Sequence, residues 1–171
     1  MTETTIYRAY TLRRPRPEDA HAVHRLIARC PPLDGNSLYC NLLQCTHFAD
    51  TCTIALDADD EPAGFVSAYR PPTAPETLFV WQIAVDGRHR GQGLAAELVL
   101  NVLRRPAARG VRYLECTITP DNAASWALFD AIAGRLGGEC RRTPFFDRDR
   151  HFRGSHASED LVHIGPFTRI P

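Results

Sequence analysis

The sequence predicts an α/β protein of the α+β kind, with helices flanking a central mixed, mostly antiparallel β-sheet. Three observations carry this. Strand-like and helical patterns alternate along the chain. TCTIALD, ADDEP and AGFVSAYR read as strand, turn and strand of a hairpin, which makes its two strands antiparallel. TLFVWQIAV is apolar at successive positions, as a central strand covered on both faces would be. A chain of 171 residues is large enough to bury one core, so residues 1–171 read as a single domain without repeats or low-complexity tracts.

Taken in order, residues 8–14 have the pattern of a first strand. Pro17 suits a first helical position, with Glu18 and Asp19 complementing the helix dipole. Ala22, Val23, Leu26, Ile27 and Cys30 give that helix one apolar face, and Pro31 and Pro32 end it. A second short helix follows a cap at Asp34, Asn36 or Ser37, with Leu38, Leu42 and Cys45 at helical spacing. After the hairpin, prolines between 71 and 75 mark a loop. Beyond TLFVWQIAV, Leu94, Leu98 and Val102 recur every fourth residue, as do Ala95, Val99 and Leu103, so a helix packs on the sheet. RYLECTIT is another central strand. DNAASWALFDAIAGRL is a helix capped by Asp121 or Asn122, with Ala124, Leu128, Ile132 and Leu136 in register and Gly137 and Gly138 as its stop. RRTPFF and DLVHIGPF close the chain as two strands around a charged loop, 147–158.

Composition excludes several function classes. The formal net charge is zero, so no broad field draws the chain to nucleic acid or anionic lipid. No apolar run has membrane-spanning length, and the first residues lack a signal peptide's apolar stretch, which makes a cytoplasmic location the expectation. Six cysteines without a C-x-x-C pair argue against a structural zinc site, and no metal is expected. The sequence contains no Lys, which removes Schiff-base chemistry and a Walker A loop.

The motif that carries chemistry is RHRGQGLA, Arg88 to Ala95. GQGLAA fits the dinucleotide fingerprint G-x-G-x-x-A, and Glu115 lies about twenty residues on, where that fingerprint has a ribose-binding acid. Three features oppose it. Asp86 to Arg90 separate the glycines from the strand, the unit sits mid-chain, and Glu115 falls inside a strand pattern. A plain tight turn also fits the two glycines. The wider pattern, Arg88-x-x-Gly91-x-Gly93 after a central strand and before a helix, resembles the acyl-CoA loop of the GNAT N-acetyltransferases. Asn122, Ser125, Leu128 and Phe129 match that superfamily's Asn-x-x-[Ala/Ser]-x-x-Leu-[Tyr/Phe]. A helix N-terminus presents unpaired N–H groups and a positive dipole to a diphosphate, and glycine permits close approach.

The resemblance implies a GNAT fold in which two parallel central strands splay, around Ile83 to Val85 and Cys116 to Thr119, and admit the pantetheine arm. It further implies acetyl-CoA as co-substrate, held by the main chain of Ile83, Ala84 and Val85, by Arg88 and Arg90, by the loop Gly91, Gln92, Gly93, Leu94 and Ala95, and by Asn122 and Ser125. Read locally, the arginines also suit a solvated loop and Asn122 a helix cap. Many GNAT enzymes have a thiolate-protonating Tyr where this chain has Phe129. Another group, or water, then supplies that proton, or the thiolate of pKa near 8.5 leaves unprotonated.

Four blocks in order, LDGNSLYCNLLQCTHFADT, GFVSAYRPP, TLFVWQIAVDGRHRGQGLA and TITPDNAASWALF, resemble the L-2,4-diaminobutyrate acetyltransferases of ectoine biosynthesis. The likeness runs from about residue 10 to about 168. It implies acetylation of a small diamino acid on its 4-amino group, without nucleic acid or membrane partners, by a homodimer. The family's acceptor pocket resembles Asp34, Tyr39, Trp81, His156 and Glu159 here. As catalytic base the resemblance points to Glu159 first and Asp34 second, and to direct transfer with an oxyanion held by a main-chain N–H near Ile83 or Ala84. Locally, Asp34 also reads as a helix cap, Trp81 as core, and His156 and Glu159 as a solvated stretch. Cys116 offers a ping-pong nucleophile, but no base stands beside it in the pattern. Other readings of the same motifs are an acetyltransferase for another small amine and a non-catalytic acyl-CoA-binding module.

Overall fold

The computed structural model describes residues 4–167 and 169–171. The chain forms two compact units. The first runs to Tyr69 and resumes over Val80–Arg109; the second holds Arg70–Phe79 and the chain from Gly110 onward.

The first unit opens with a hairpin, β1 (Thr4–Tyr7) and β2 (Tyr10–Arg13). The single strand expected over 8–14 is therefore two strands with a turn between them. Arg8 makes that turn at φ 55, and because it is not the usual Gly or Asn, the sequence does not announce it. A 3-10 turn at Pro17–Asp19 leads into α1 (Ala20–Ala28). Asp19 accepts two bonds from the Arg13 guanidinium, at 2.7 and 2.9 Å, and one from the Arg16 N–H. This ties the helix start to β2. Val23, Leu26 and Ile27 of α1 are buried as their spacing predicts.

β3 (Thr53–Leu56) pairs antiparallel with β2 and with β4 (Pro62–Tyr69), confirming the central hairpin. β5 (Thr77–Val85) starts in the second unit and continues in the first. Thr77, Leu78, Val80 and Ala84 are buried and Phe79 half-buried, but Trp81 is 47% exposed, so the expectation of two covered faces holds only in part. α3 (Leu94–Leu103) is buried nearly all round and packs on β3 and β4.

The short helix α2 (Leu38–Gln44) inverts its expected face. Leu38 and Leu42 are exposed, Cys45 is buried just beyond the helix, and the buried helix positions are Asn41 and Gln44. Helical spacing finds a stripe; it does not say which neighbour the stripe meets. Here α2 packs on α1 through amides. The Asn41 Oδ1 lies 3.0 Å from His24 Nδ1, and Asn41 Nδ2 donates to Gln44 Oε1 at 2.9 Å.

The second unit contains the start of β5, β6 (Tyr113–Ile118), α4 (Ala123–Leu136), β7 (Cys140–Phe146) and β8 (Glu159–Ile164). β5 and β6 run parallel, with Thr77, Leu78 and Phe79 opposite Tyr113, Leu114 and Glu115. β8 then pairs antiparallel with both β6 and β7. Following hydrogen-bonded neighbours, the strand order is β1-β2-β3-β4-β5-β6-β8-β7, the mixed, mostly antiparallel sheet the sequence predicts. α4 buries Phe129, Ile132, Ala133 and Leu136, whereas Ala124 is exposed and Leu128 half-buried. The expected stripe thus holds in its C-terminal half and shifts by one residue at its start. β7 is an exposed edge carrying Pro144, a position where a missing N–H costs no central ladder bond.

Asn41→Ala would leave His24 and Gln44 without their partner, with an expected loss of about 2–3 kcal/mol. Leu38→Ala is expected to cost about 0.5 kcal/mol. Urea unfolding of the two variants checks the order.

Candidate active site

In the first unit the glycine motif forms a loop entering α3. Gly91 and Gly93 sit at φ +74 and +78, the left-handed region, and a Cβ at Gly93 would stand 3.2 Å from the Tyr7 hydroxyl. Gly93 is the N-cap of α3, and no side chain caps the helix. The amides of its first turn are therefore free for a ligand.

The loop is fastened from several sides. Asp86 is buried; its Oδ1 accepts from the Arg88 N–H at 3.1 Å and from Arg88 Nε at 3.0 Å, and Arg29 stands 3.4 Å from its Oδ2. The Arg88 bonds hold its pKa at about 2 despite burial. Arg90 Nε donates to the Val85 carbonyl at 3.1 Å. Both arginine side chains are tied through Nε, leaving their terminal nitrogens uncommitted among the described residues. Gln92 turns inward, with its Oε1 accepting from the Tyr10 hydroxyl at 2.8 Å.

Asp34 and Tyr39 are exposed, and Ser37, not Asp34, caps α2 by accepting from the Cys40 N–H. A cap reading of Asp34 therefore falls away. The residue that joins this segment to β5 is Gln82, which sequence reasoning missed. Its Nε2 donates to the Asp34 carbonyl at 2.8 Å, and its Oε1 accepts from Asn36 Nδ2 at 2.8 Å. Its one signal is a polar residue inside an apolar strand pattern. Trp81, next to it, leaves the strand on the other side and meets Tyr69 edge-on at 6.3 Å.

In the second unit Asn122 accepts from the Ser125 N–H at 3.1 Å, capping α4, and its Nδ2 stays available to donate. The Thr119 carbonyl accepts from both the Asn122 N–H and Trp126 Nε1. Arg142, bound to both Asp130 oxygens, lies 4.0 Å over the Trp126 ring and clamps this turn. Phe129 is buried in the core. Glu115 is taken by His163, 2.7 Å away across the β6–β8 ladder, which removes it as the ribose acid of a dinucleotide site.

The structure brings His156 and Glu159 together, with Nδ1 to Oε1 at 3.9 Å. The His156 ring rests against Phe152, and its Nδ1 lies 2.8 Å from the Ala157 carbonyl. Glu159 also lines a cavity of about 460 Å³ with Phe145, Phe146, Arg150, His151 and Ser158. Arg150 and His151 sit in a charged run that gave no periodic signal. Cys116 is buried, which pushes its thiol pKa well up, with Cys140, Glu159 and Glu115 adding to the effect. Among the described residues, no group of three or more His, Cys, Asp or Glu side chains is placed to hold a metal, and no helix is long and apolar enough to cross a membrane.

The parallel β5–β6 pair within a mixed sheet, and the uncapped glycine entry to α3, fit the class of acyl-CoA-dependent acetyltransferases. The model of the acetyltransferase (GNAT) family matches residues 12–134, and the chain belongs to that family. Within it, the chain is 49% identical over 160 residues to the L-2,4-diaminobutyric acid acetyltransferase of Methylotuvimicrobium alcaliphilum, covering 94% of this chain and 92% of that one. It is 46% identical to the enzyme of the same name from Halomonas elongata, over 91% and 81% of the two chains. The diaminobutyrate acetyltransferase EctA of Paenibacillus lautus, solved with L-2,4-diaminobutyric acid and coenzyme A, superposes with a TM-score of 0.87 at 38% identity, covering 99% and 98%.

Because Asp86 keeps its charge down to about pH 2 in the folded state, against an ordinary 3.8, its contribution to stability is complete above about pH 4 and is lost as pH falls from there toward 2. Asp86→Asn is expected to flatten acid destabilisation in that window. Urea midpoints at pH 5, 4, 3 and 2 measure it.

Proposed function

We propose that this chain transfers the acetyl group of acetyl-CoA to the 4-amino group of L-2,4-diaminobutyrate, giving N4-acetyl-L-2,4-diaminobutyrate and CoA for ectoine synthesis. The observation that carries this is near full-length similarity to proteins of that activity, one of them solved with both ligands. We read residues 1–171 as one acetyltransferase domain, since the family match runs through residues of both units.

The coenzyme's diphosphate takes the free amides of Gly91 to Ala95, with Arg88 and Arg90 adding charge, and Asn122 and Ser125 contact the pantetheine arm. The main chain of Ile83, Ala84 and Val85 holds the acyl end. Asp34, Tyr39, Trp81, His156 and Glu159 receive the diamino acid. Its 4-ammonium has a pKa like that of lysine, about 10.4, so it must lose a proton before attack. Glu159 accepts that proton, directly or through one water, with Asp34 as the second candidate. The support for Glu159 is its place on a cavity wall beside His156. The free amine attacks the thioester carbonyl. An N–H of Ile83 or Ala84 stabilises the oxyanion, and collapse expels CoA. A buried thiol with a raised pKa makes Cys116 a poor nucleophile, which favours direct transfer.

The acceptor is a small molecule rather than nucleic acid or a membrane, and the place of action is the cytoplasm. We take the working form to be a homodimer, for which the exposed Leu38, Leu42 and Phe48 offer apolar surface; sedimentation velocity tests it.

Thiol release from acetyl-CoA is expected with L-2,4-diaminobutyrate, far less with ornithine, and least with 1,3-diaminopropane. Mass spectrometry should place the acetyl group on N4. Glu159→Gln is expected to lower kcat roughly a hundredfold or more at neutral pH with the KM for acetyl-CoA unchanged. Near wild-type turnover in that variant would remove Glu159 as the base.

A further inference from the structure

Beneath the coenzyme loop lies a titratable cluster that the transfer chemistry does not use. Tyr10, buried on β2, donates its one hydroxyl hydrogen to Gln92 Oε1 at 2.8 Å. Its oxygen also lies 3.1 Å from His89 Nδ1. With the hydroxyl hydrogen spent on Gln92, the tyrosine oxygen must accept, so Nδ1 carries a proton. The other ring nitrogen, Nε2, is shut off from solvent, has no hydrogen-bond partner, and stands 3.5 Å from Asp57 Oδ2. Asp57 Oδ1 already accepts the N–H groups of Asp59 and Glu61. Partial burial works against the charge on Asp57, but those two N–H groups, with His89 and Arg88, keep its pKa below the ordinary value. Both ring nitrogens of His89 thus face oxygens, Nδ1 that of Tyr10 and Nε2 that of Asp57.

We infer that Tyr10 and His89 position the coenzyme loop through Gln92, and that the proton on His89 sets that position. Loss of the Nε2 proton turns a lone pair toward the Asp57 carboxylate. Loss of the Nδ1 proton turns the Tyr10 hydroxyl to donate to His89 and takes its hydrogen from Gln92. Gln92 sits between Gly91 and Gly93, both in the left-handed region, so the side-chain bond to Tyr10 restrains a segment with little stiffness of its own. The groups that face His89 are Tyr10 from β2 and Asp57 from the β3–β4 turn, and Tyr10 in turn bonds Gln92 of the loop. Arg88 beside it is bound to Asp86 and feels Glu61 from the same turn. The protonated ring both holds Gln92 and adds positive charge near a diphosphate. Coenzyme binding and proton uptake therefore favour each other.

This rests on the reading of the loop as the diphosphate site. The test is calorimetric titration of the full chain with dephospho-coenzyme A, which lacks the 3′-phosphate whose own ionisation would add to the signal. It runs from about pH 5.5 to 8.5 in buffers of different ionisation enthalpy. The wild type should take up protons on binding, with affinity about three- to tenfold weaker at the high end. His89→Gln and Tyr10→Phe should bind with a flattened pH profile and reduced uptake. A wild-type profile kept by His89→Gln overturns the inference, and one kept by Tyr10→Phe alone overturns the relay through Tyr10. Should either variant fail to fold, ¹⁵N-histidine NMR of the wild type decides. Dephospho-coenzyme A should move the His89 titration to higher pH, and an unmoved titration overturns the inference. Absence of any binding by the wild type would instead remove the diphosphate assignment.

Discussion

No side chain caps the amides at the start of α3, and the contacts around the loop before it answer to that constraint. A Ser, Thr or Asp at the N-cap would satisfy one of those amides. Gly93 leaves them open and allows the left-handed entry. An uncapped entry has nothing local to hold it, so the restraint is supplied from outside. Asp86 binds Arg88 on one side, the Val85 carbonyl binds Arg90 on another, and Tyr10 with His89 reaches up to Gln92.

The other two helix starts near candidate site residues are built the opposite way. Ser37 caps α2 and Asn122 caps α4, each by accepting a main-chain N–H three residues on. A cap fixes where a helix starts and hence where nearby residues stand. Asn122 keeps Nδ2 to spare after capping. It owes its position to a carbonyl, Thr119, that also takes the Trp126 indole, which Arg142 and Asp130 clamp. The distinction between an open helix end and a capped one is therefore written in single residues, glycine against serine or asparagine.

In α2, burial of amides releases apolar side chains to the surface. Asn41 bonds to both Gln44 and His24, so the helix can pack on α1 without an apolar contact stripe, and Leu38, Tyr39 and Leu42 face outward. Such a network holds geometry tightly, because losing Asn41 leaves the buried Gln44 amide without its remaining bond. Gln82 does the same for the Asp34 segment, joining it to β5 by two bonds from one amide.

Strong periodicity and strong punctuation were legible in the sequence. The β3–β4 hairpin, α1 after Pro17, α3 after the glycines, and α4 between Asn122 and Gly137 all stand where spacing and caps predict, because those signals depend on neighbours within a few residues. So was the loop's conformation, since glycines at that spacing before a helical pattern permit the left-handed entry to α3. The split of the first strand at Arg8, the inverted face of α2, the pairing of Glu115 with His163, and the tie from Gln82 to Asp34 were decided by tertiary structure. In each case the partner lies on another element, and a single sequence records no such pairing. A residue's type states what bonds it is able to make, and only the folded chain states with whom it makes them.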